Sequence, residues 1–119
     1  MALNDAALVI AANAIRTAVT HMQLHSAAPG AAGTTAAVGS RFAVTGTTDA
    51  DGDITWTNNA TITGLGPNQT LSHVSYWSAA TAGTLYGSSA LSTTPPNDTT
   101  SNAAGEVATL TVTETSTST

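Results

Sequence analysis

Residues 70–91, with the sequence TLSHVSYWSAATAGTLYGSSAL, contain the most regular alternation of apolar and polar side chains in the chain. A period of two residues is typical of a β-strand with one buried face. We therefore predict a strand over residues 70–78, a tight turn over residues 79–83 and a returning strand over residues 84–91. Such a hairpin favours an antiparallel sheet.

The first of these strands contains two adjacent aromatic residues, Tyr76 and Trp77. Adjacent side chains on a strand point to opposite faces of the sheet. One ring is therefore expected in the core, and the other on the opposite surface, where it needs a cover. The cover is expected to be a helix, another sheet or a neighbouring subunit. Both rings are candidate interface residues, and Trp56 is a third.

Alternation also predicts strands outside this hairpin, each bounded by turn residues. They cover residues 20–25, 41–48, 54–57, 60–64 and 106–114. Met22 and Leu24 point to one face of the first strand. Its other face carries His21, Gln23 and His25. The second and third strands form a hairpin around an Asp-Gly turn.

The N-terminal segment, residues 4–19, has the period of a helix. Asn4 is a candidate N-cap because its side chain can accept a hydrogen bond from a free amide of the first turn. The apolar stripe consists of Leu8, Ala11, Ile15 and Ala18, with Ala12 and Val19 beside it. A single helix of this length is marginal alone. We expect it to pack on a sheet or project to a neighbour, with Leu8 and Ile15 as interface candidates.

These elements predict a mainly β protein, a small antiparallel β-sandwich of six to eight strands with one N-terminal α-helix. A single domain covers residues 1–119, with the helix at 4–19 and the sandwich at 20–114. A polar loop is predicted at residues 93–105. The polar tail, residues 115–119, is expected to fray.

Charge and composition exclude several classes of protein. The 119 residues include two Arg, no Lys and seven acidic residues, for a formal net charge of −5. Two cations cannot neutralise a row of phosphates, so we expect no nucleic-acid partner and no polybasic membrane-binding surface. The longest apolar run, residues 6–12, is too short to span a bilayer.

The core that this composition can build is thin. The chain has 23 Ala, 24 Thr and 11 Ser, whereas Leu, Ile, Val and Phe together number 20. Burying one large apolar side chain contributes about 1.5–3 kcal/mol, and ordering each residue costs a comparable amount. We therefore expect the chain to gain stability by burying surface against copies of itself or other subunits.

Three acidic residues, Asp49, Asp51 and Asp53, form the sharpest polar cluster. Alternate carboxylates in a tight loop suit Ca²⁺. An EF-hand loop needs Gly directly after its third acid, whereas Gly52 precedes Asp53 here. An exposed Asp-rich turn is therefore the favoured interpretation, and Ca²⁺ binding is the alternative.

The histidines give a weaker signal of metal binding. His21 and His25 are four residues apart, which places them about 13 Å apart on one face of a strand. That separation is too large for a shared metal, so we expect surface or interface histidines. Together with His73 near an intersubunit surface, they would make assembly depend on pH between about 5 and 8.

No pattern of catalytic residues stands out. The chain has no Cys or Lys, no Gly-x-Ser-x-Gly elbow and no phosphate-binding glycine pattern. We therefore expect no enzymatic activity and no cofactor. One binding alternative remains, a carbohydrate-binding module with Trp56 or Trp77 as an exposed platform for sugars.

Residues 20–28 and 72–80 share a pattern. In both segments His is second, apolar residues are third and fifth, and a ring is sixth. Pairing of the two segments as neighbouring strands would explain the repeat. Chance similarity in a sequence of low complexity would explain it equally well.

Several segments carry a resemblance to a known group. They are the Ala-rich N-terminal helix, the strand at residues 20–24 and the HSAAPG run at residues 25–30. Residues 71–80 and 83–87 continue it, and they are similar to a T-H-V-x-x-W-x-A-A…G-G-T-x-x-G hairpin, in which Gly is common where Ala82 stands. The chain thereby resembles small virion proteins of tailed phages, described as tail-fibre or minor tail proteins.

This resemblance implies a virion structural protein, assembled in the bacterial host cytoplasm, with copies of itself and other virion proteins as partners. A tail or tail-tip subunit of minor tail or fibre type is the leading hypothesis. A capsid decoration (cement) protein is the alternative. The carbohydrate-binding module is the alternative from another class, with a host-surface glycan as its ligand.

Overall fold

The computed structural model describes residues 3–91 and 100–115, and this part of the chain is mainly β. Helix α1 spans Asp5–Ala18, and six strands follow it. They are β1 (His21–His25), β2 (Ala37–Thr48), β3 (Ile54–Asn58), β4 (His73–Trp77), β5 (Leu85–Ala90) and β6 (Thr111–Glu114). Residues 1–2, 92–99 and 116–119 lie outside the described residues. They include residues 93–99 of the predicted polar loop and residues 116–119 of the predicted tail.

Helix α1 begins at the predicted N-cap. The Asn4 side chain accepts a hydrogen bond from the backbone N–H of Ala7 at 3.0 Å, which satisfies an amide that the helix leaves free. Asp5 in the first turn and Arg16 in the last turn both complement the helix dipole. Val19 ends the helix in an extended conformation, from which the chain enters β1.

The six strands form one antiparallel sheet in the order β5-β4-β1-β2-β3-β6. Strand β2 pairs with two neighbours. Its residues 37–43 pair with β1, and its residues 44–48 pair with β3. It begins four residues earlier than predicted. Gly39, with a φ of 67°, lies in an irregularity of the β1–β2 register, and such a bulge breaks the alternation that the prediction used.

One predicted strand is reduced to a single bridge. Ile62 pairs with Val107 in isolation, so residues 60–64 do not form a strand. The same bridge accounts for the early part of the predicted strand at residues 106–114, of which only β6 is regular. The sequence that follows Ile62 is rich in glycine, which does not support a longer ladder of strand pairing.

The sheet is curled, so that its two edge strands meet. In a flat sheet of this order, β5 and β6 would lie about 24 Å apart, which is five strand spacings. Instead, Ser89 of β5 donates a hydrogen bond to the Glu114 carboxylate of β6, and so does Tyr76 of β4. The predicted class, mainly β and antiparallel with an N-terminal helix, is confirmed. The inner faces of this single sheet pack on each other, which is compatible with the predicted sandwich.

The core lies inside the curl and includes the inner side of α1. Its buried members are Ala12, Val19, Met22, Leu24, Val44, Ile54, Trp56, Ile62, Leu65, Leu71, Val74, Tyr76, Leu91, Val107, Leu110 and Val112. Met22 and Leu24 face inward together, as the alternation of β1 predicts. The cluster is small for a chain of 119 residues, in keeping with the composition.

Candidate functional site

Strands β1 and β4 lie side by side within the sheet. They pair antiparallel from His21 opposite Trp77 to His25 opposite His73. The two segments with the repeated pattern are thus neighbours, as the explanation by pairing requires. In each strand four of the five residues are buried, so the polar face of this pair is covered as well as the apolar face.

Two of the aromatic candidates pack against each other in the core. The ring centroids of Trp56 and Tyr76 are 5.0 Å apart, and the side chains are only 2% and 6% exposed. The Tyr76 hydroxyl donates its one proton to Glu114, and its oxygen also lies 3.0 Å from Ser89 Oγ. Burial and the Glu114 hydrogen bond raise the pKa of Tyr76, so the phenol stays protonated. The expectation of an exposed Trp56 platform for sugars is wrong, because the ring fills the core.

Trp77 lies on the opposite face of β4 from Tyr76, as predicted, and its own chain covers it. The Arg41 guanidinium carbon lies 3.5 Å from the centre of the Trp77 ring, which is a cation–π contact. Arg41 Nη1 donates to the carbonyl oxygens of Ala79 and Ala82 at 3.0 and 2.6 Å. The expected cover was a helix, a second sheet or a subunit, and this was wrong. Since Trp77 is 7% exposed, it is no sugar platform either.

A series of hydrogen bonds crosses this covered face from Trp77 to the loop of residues 26–36. Trp77 Nε1–H donates to Ser75 Oγ at 2.7 Å, and Ser75 Oγ lies 2.8 Å from His25 Nε2. His25 Nδ1 lies 2.8 Å from the carbonyl oxygen of Thr35. Because a carbonyl only accepts, Nδ1 carries the proton, Nε2 accepts, and the Ser75 hydroxyl donates. Every donor and acceptor in this series has its partner when the His25 imidazole is neutral.

His25 is fully buried, so the expectation of surface or interface histidines is wrong for this residue. Burial lowers the pKa of His25. The backbone hydrogen bond to Thr35 raises this pKa, and the neighbouring His73 lowers it further. The cover is the loop of residues 26–36, whose sequence has no alternation. Gly33 of this loop lies so close to Leu85 that an added Cβ would come within 2.7 Å of the leucine methyl carbons.

Helix α1 rests on the sheet through a narrow side. Ala12 is its buried residue, at 1% exposure, and Val19 follows at 3%. The predicted stripe is therefore rotated, because Ala11 is exposed. Of the two interface candidates, Leu8 is half-buried and Ile15 is 49% exposed. No helix in the described ranges is long and apolar enough to cross a membrane.

The prediction missed the most exposed large apolar residue of α1. Ile10 is 73% exposed, and Leu3 just before the helix is 40% exposed. Ile10 precedes Ala12 by two residues, which places it about 200° around the helix from the buried side. The signal was in the sequence, because an isoleucine opposite the packed stripe has no role in the chain's own core.

A cavity of about 290 Å³ lies between α1 and the curled sheet. Ile15 lines it from the helix, while Trp56, Tyr76 and Tyr86 supply aromatic walls, and Glu114 supplies a carboxylate. Ile15 and Tyr86 are each about half exposed, so the cavity opens between them. No sequence pattern indicates this cavity, because its walls come from five separate elements.

The three aspartates of the β2–β3 turn come together as predicted. One oxygen of each of Asp49, Asp51 and Asp53 lies within 4.8 Å of the others. Asp49 Oδ1 accepts hydrogen bonds from the backbone N–H groups of Asp51 and Asp53 at 2.9 and 3.0 Å. This carboxylate therefore builds the turn, together with Gly52 at a φ of 83°. The geometry agrees with an Asp-rich turn, and Ca²⁺ binding stays a prediction.

The comparison with protein families relates this fold to a named group. The model of the family described as podophage GP4 fiber I protein gp80 matches residues 3–113. This range includes α1 and the six strands, except for the last residue of β6. The comparison with curated proteins found no significant match, and neither did the comparison with solved structures. The chain therefore belongs to the podophage GP4 fiber I protein gp80 family, and it is a phage structural protein of the fibre type, as its resemblance to tail-fibre proteins predicted.

Proposed function

We propose that this protein is a tail or tail-tip subunit that acts by assembly, without catalysis, and that it joins the virion in the bacterial host cytoplasm. The family supports a fibre role within the virion. One observation carries the assembly role, the apolar outer side of α1. Ile10 exposes nearly three quarters of its surface there, although the chain has few large apolar residues.

The outer side of α1 suits contact with copies of the chain or with other virion proteins. Ile10 is flanked by exposed alanines at positions 6, 11 and 14. Alanine allows a partner's backbone to approach closely, and Ile10 can fill a partner's pocket. Residues that become fully buried near the centre of an interface carry most of its binding energy. The buried tryptophans, in contrast, give no support to a sugar-binding role.

The first experiment locates the protein in the particle. Antibody labelling of intact virions by electron microscopy should mark the tail or its fibres. Labelling spread over the capsid would replace the proposal with the decoration role. Absence of the chain from purified virions, measured by mass spectrometry, would remove both.

The second experiment tests the surface. We expect Ile10→Gln to weaken the assembly of purified chains or their incorporation into particles, because it removes apolar area while keeping a good helix former. Asn13→Gln is the matched control, since it changes another exposed position of α1 without losing apolar surface. Light scattering gives the native mass and mass spectrometry gives the incorporation. Equal behaviour of the two variants in both measurements would exclude this surface.

A further inference from the structure

The cavity beside α1 combines an apolar interior with a single charge. Among its lining residues Glu114 is the charged one. Glu114 accepts hydrogen bonds from Tyr76 and Ser89, and both end on the same oxygen, Oε1. Within the described part of the chain, Oε2 therefore remains to accept from a ligand. A carboxylate beside apolar walls favours a ligand with a positive group.

The walls fit the stem of such a ligand. Trp56 and Tyr76 form an aromatic pair with ring planes tilted by 33°, and Tyr86 stands half-exposed at the opening. Aromatic faces attract cations as well as apolar groups. Lysine and arginine carry an aliphatic stem below a charged end, and the cavity volume of about 290 Å³ holds one such side chain.

We propose that this cavity binds one basic side chain, arginine or lysine, of another virion protein. The stem lies against Ile15 and Tyr86, which are each about half exposed, and the charged end pairs with Glu114. The inference deepens the proposed function and rests on it for the identity of the partner. It assigns a second contact surface, on a different side of α1 from Ile10.

Charge explains why the partner is a different chain. This protein has a formal net charge of −5 and only two Arg. Arg41 is occupied by Trp77 and by two backbone carbonyls, and the Arg16 stem packs beside Gly46. A second copy therefore brings net repulsion, and one of its two cations, Arg41, is already occupied. A basic segment of another protein brings the opposite charge.

The test uses amide NMR spectra of the full chain titrated with two probes. N-acetyl-arginine amide carries the proposed side chain, and N-acetyl-citrulline amide has nearly the same shape without the charge. We expect the arginine probe to shift the amides of Ile15, Tyr86 and Glu114 in a saturable way. It should bind about fivefold more tightly than the citrulline probe, as expected for one partly screened ion pair.

Two variants keep the result interpretable. Glu114→Gln retains an oxygen that can accept from Tyr76 and Ser89, so the sheet edges should stay joined, while the preference for arginine over citrulline should disappear. Tyr86→Ala changes a half-exposed residue, so it should leave folding intact and weaken both probes. Thermal melts of both variants check the fold.

Three outcomes overturn the proposal. The first is equal affinity for the two probes, and the second is an undiminished preference for arginine in Glu114→Gln. The third is a set of shifts centred on the acidic turn at residues 49–53, because such shifts would show unspecific ion pairing. The particle experiment separates this failure from that of the proposed function. A chain located in the tail that shows no arginine preference loses only the cavity assignment. A preference for arginine in a chain absent from virions keeps the site and removes the virion partner.

Discussion

The strand pair β1–β4 and the helix α1 differ in how much of their surface the chain itself covers. Each of the two strands has four buried residues out of five. The core covers one face of the pair, and the loop of residues 26–36 with Arg41 covers the other. Helix α1 has 14 residues and buries Ala12 alone.

In one of these regions the chain covers its own surface, and in the other it leaves apolar side chains exposed. Between β1 and β4, even polar atoms such as those of Ser75 and His25 have partners. Around α1, Ile10 and Ile15 remain exposed, and a cavity adjoins the helix. The proposed assembly role depends on this exposed apolar surface.

The largest effect should come from emptying the core beside the strand pair. Trp56→Ala should lower the free energy of unfolding by about 3–5 kcal/mol, because a fully buried indole leaves a cavity behind. Ile10→Ala should change it by less than about 0.5 kcal/mol, because the side chain is exposed. Urea unfolding of the isolated chains measures both. Comparable losses would show that α1 is as completely packed as the strands.

The second largest loss of stability should come from a change on the covered polar face of β1 and β4. Ser75→Ala removes the hydroxyl that accepts from Trp77 and donates to His25, which leaves two buried polar atoms unpaired. We expect a loss of about 2 kcal/mol in urea unfolding. Ser88→Ala is the matched control, because Ser88 pairs with Ser75 across the β4–β5 ladder but is exposed. A Ser75 variant as stable as the Ser88 variant would mean that water replaces the lost hydroxyl.

Stability should also depend on pH through His25. Its pKa is lowered in the folded chain, so below about pH 6.5 the unfolded chain binds a proton that the folded chain refuses. The contribution is complete above that pH and is lost as the pH falls, by at most about 1.4 kcal/mol per unit. Urea unfolding over this range should show the loss in the wild type. The His25→Asn variant should lack it, and equal slopes would assign the dependence to other groups.

The sequence could predict which side chains of the strand pair share a face. Alternation places Met22 and Leu24 inward, and it places Tyr76 and Trp77 on opposite sides, because the β-pleat itself has a period of two. It could not predict that both faces are buried. That burial depends on the loop of residues 26–36, which has no period and folds over the sheet through long-range contacts.

The candidate surfaces were harder to predict than the fold. The predicted apolar stripe of α1 is rotated about the helix axis from the side that is buried. Alanines occur all around the helix, so the hydrophobic pattern does not single out one face. Glu114 was not a candidate at all. Its contact with Ser89 requires the curl of the whole sheet, and no local pattern encodes two edge strands that meet.

The smallest effect concerns the turn that holds Arg41 over Trp77. Ala82 has a φ of 53°, which costs an alanine about 1–2 kcal/mol relative to glycine, and the phage proteins that this chain resembles commonly have Gly there. Ala82→Gly relieves this strain but adds freedom to the unfolded chain, worth about 0.4–1 kcal/mol, so we expect a net gain of about 0.5 kcal/mol. Ala80→Gly in the same turn, where φ is not positive, should only lose stability. If Ala82→Gly also loses stability in urea unfolding, then strain does not limit the turn, and the cover over Trp77 is as relaxed as the strands beneath it.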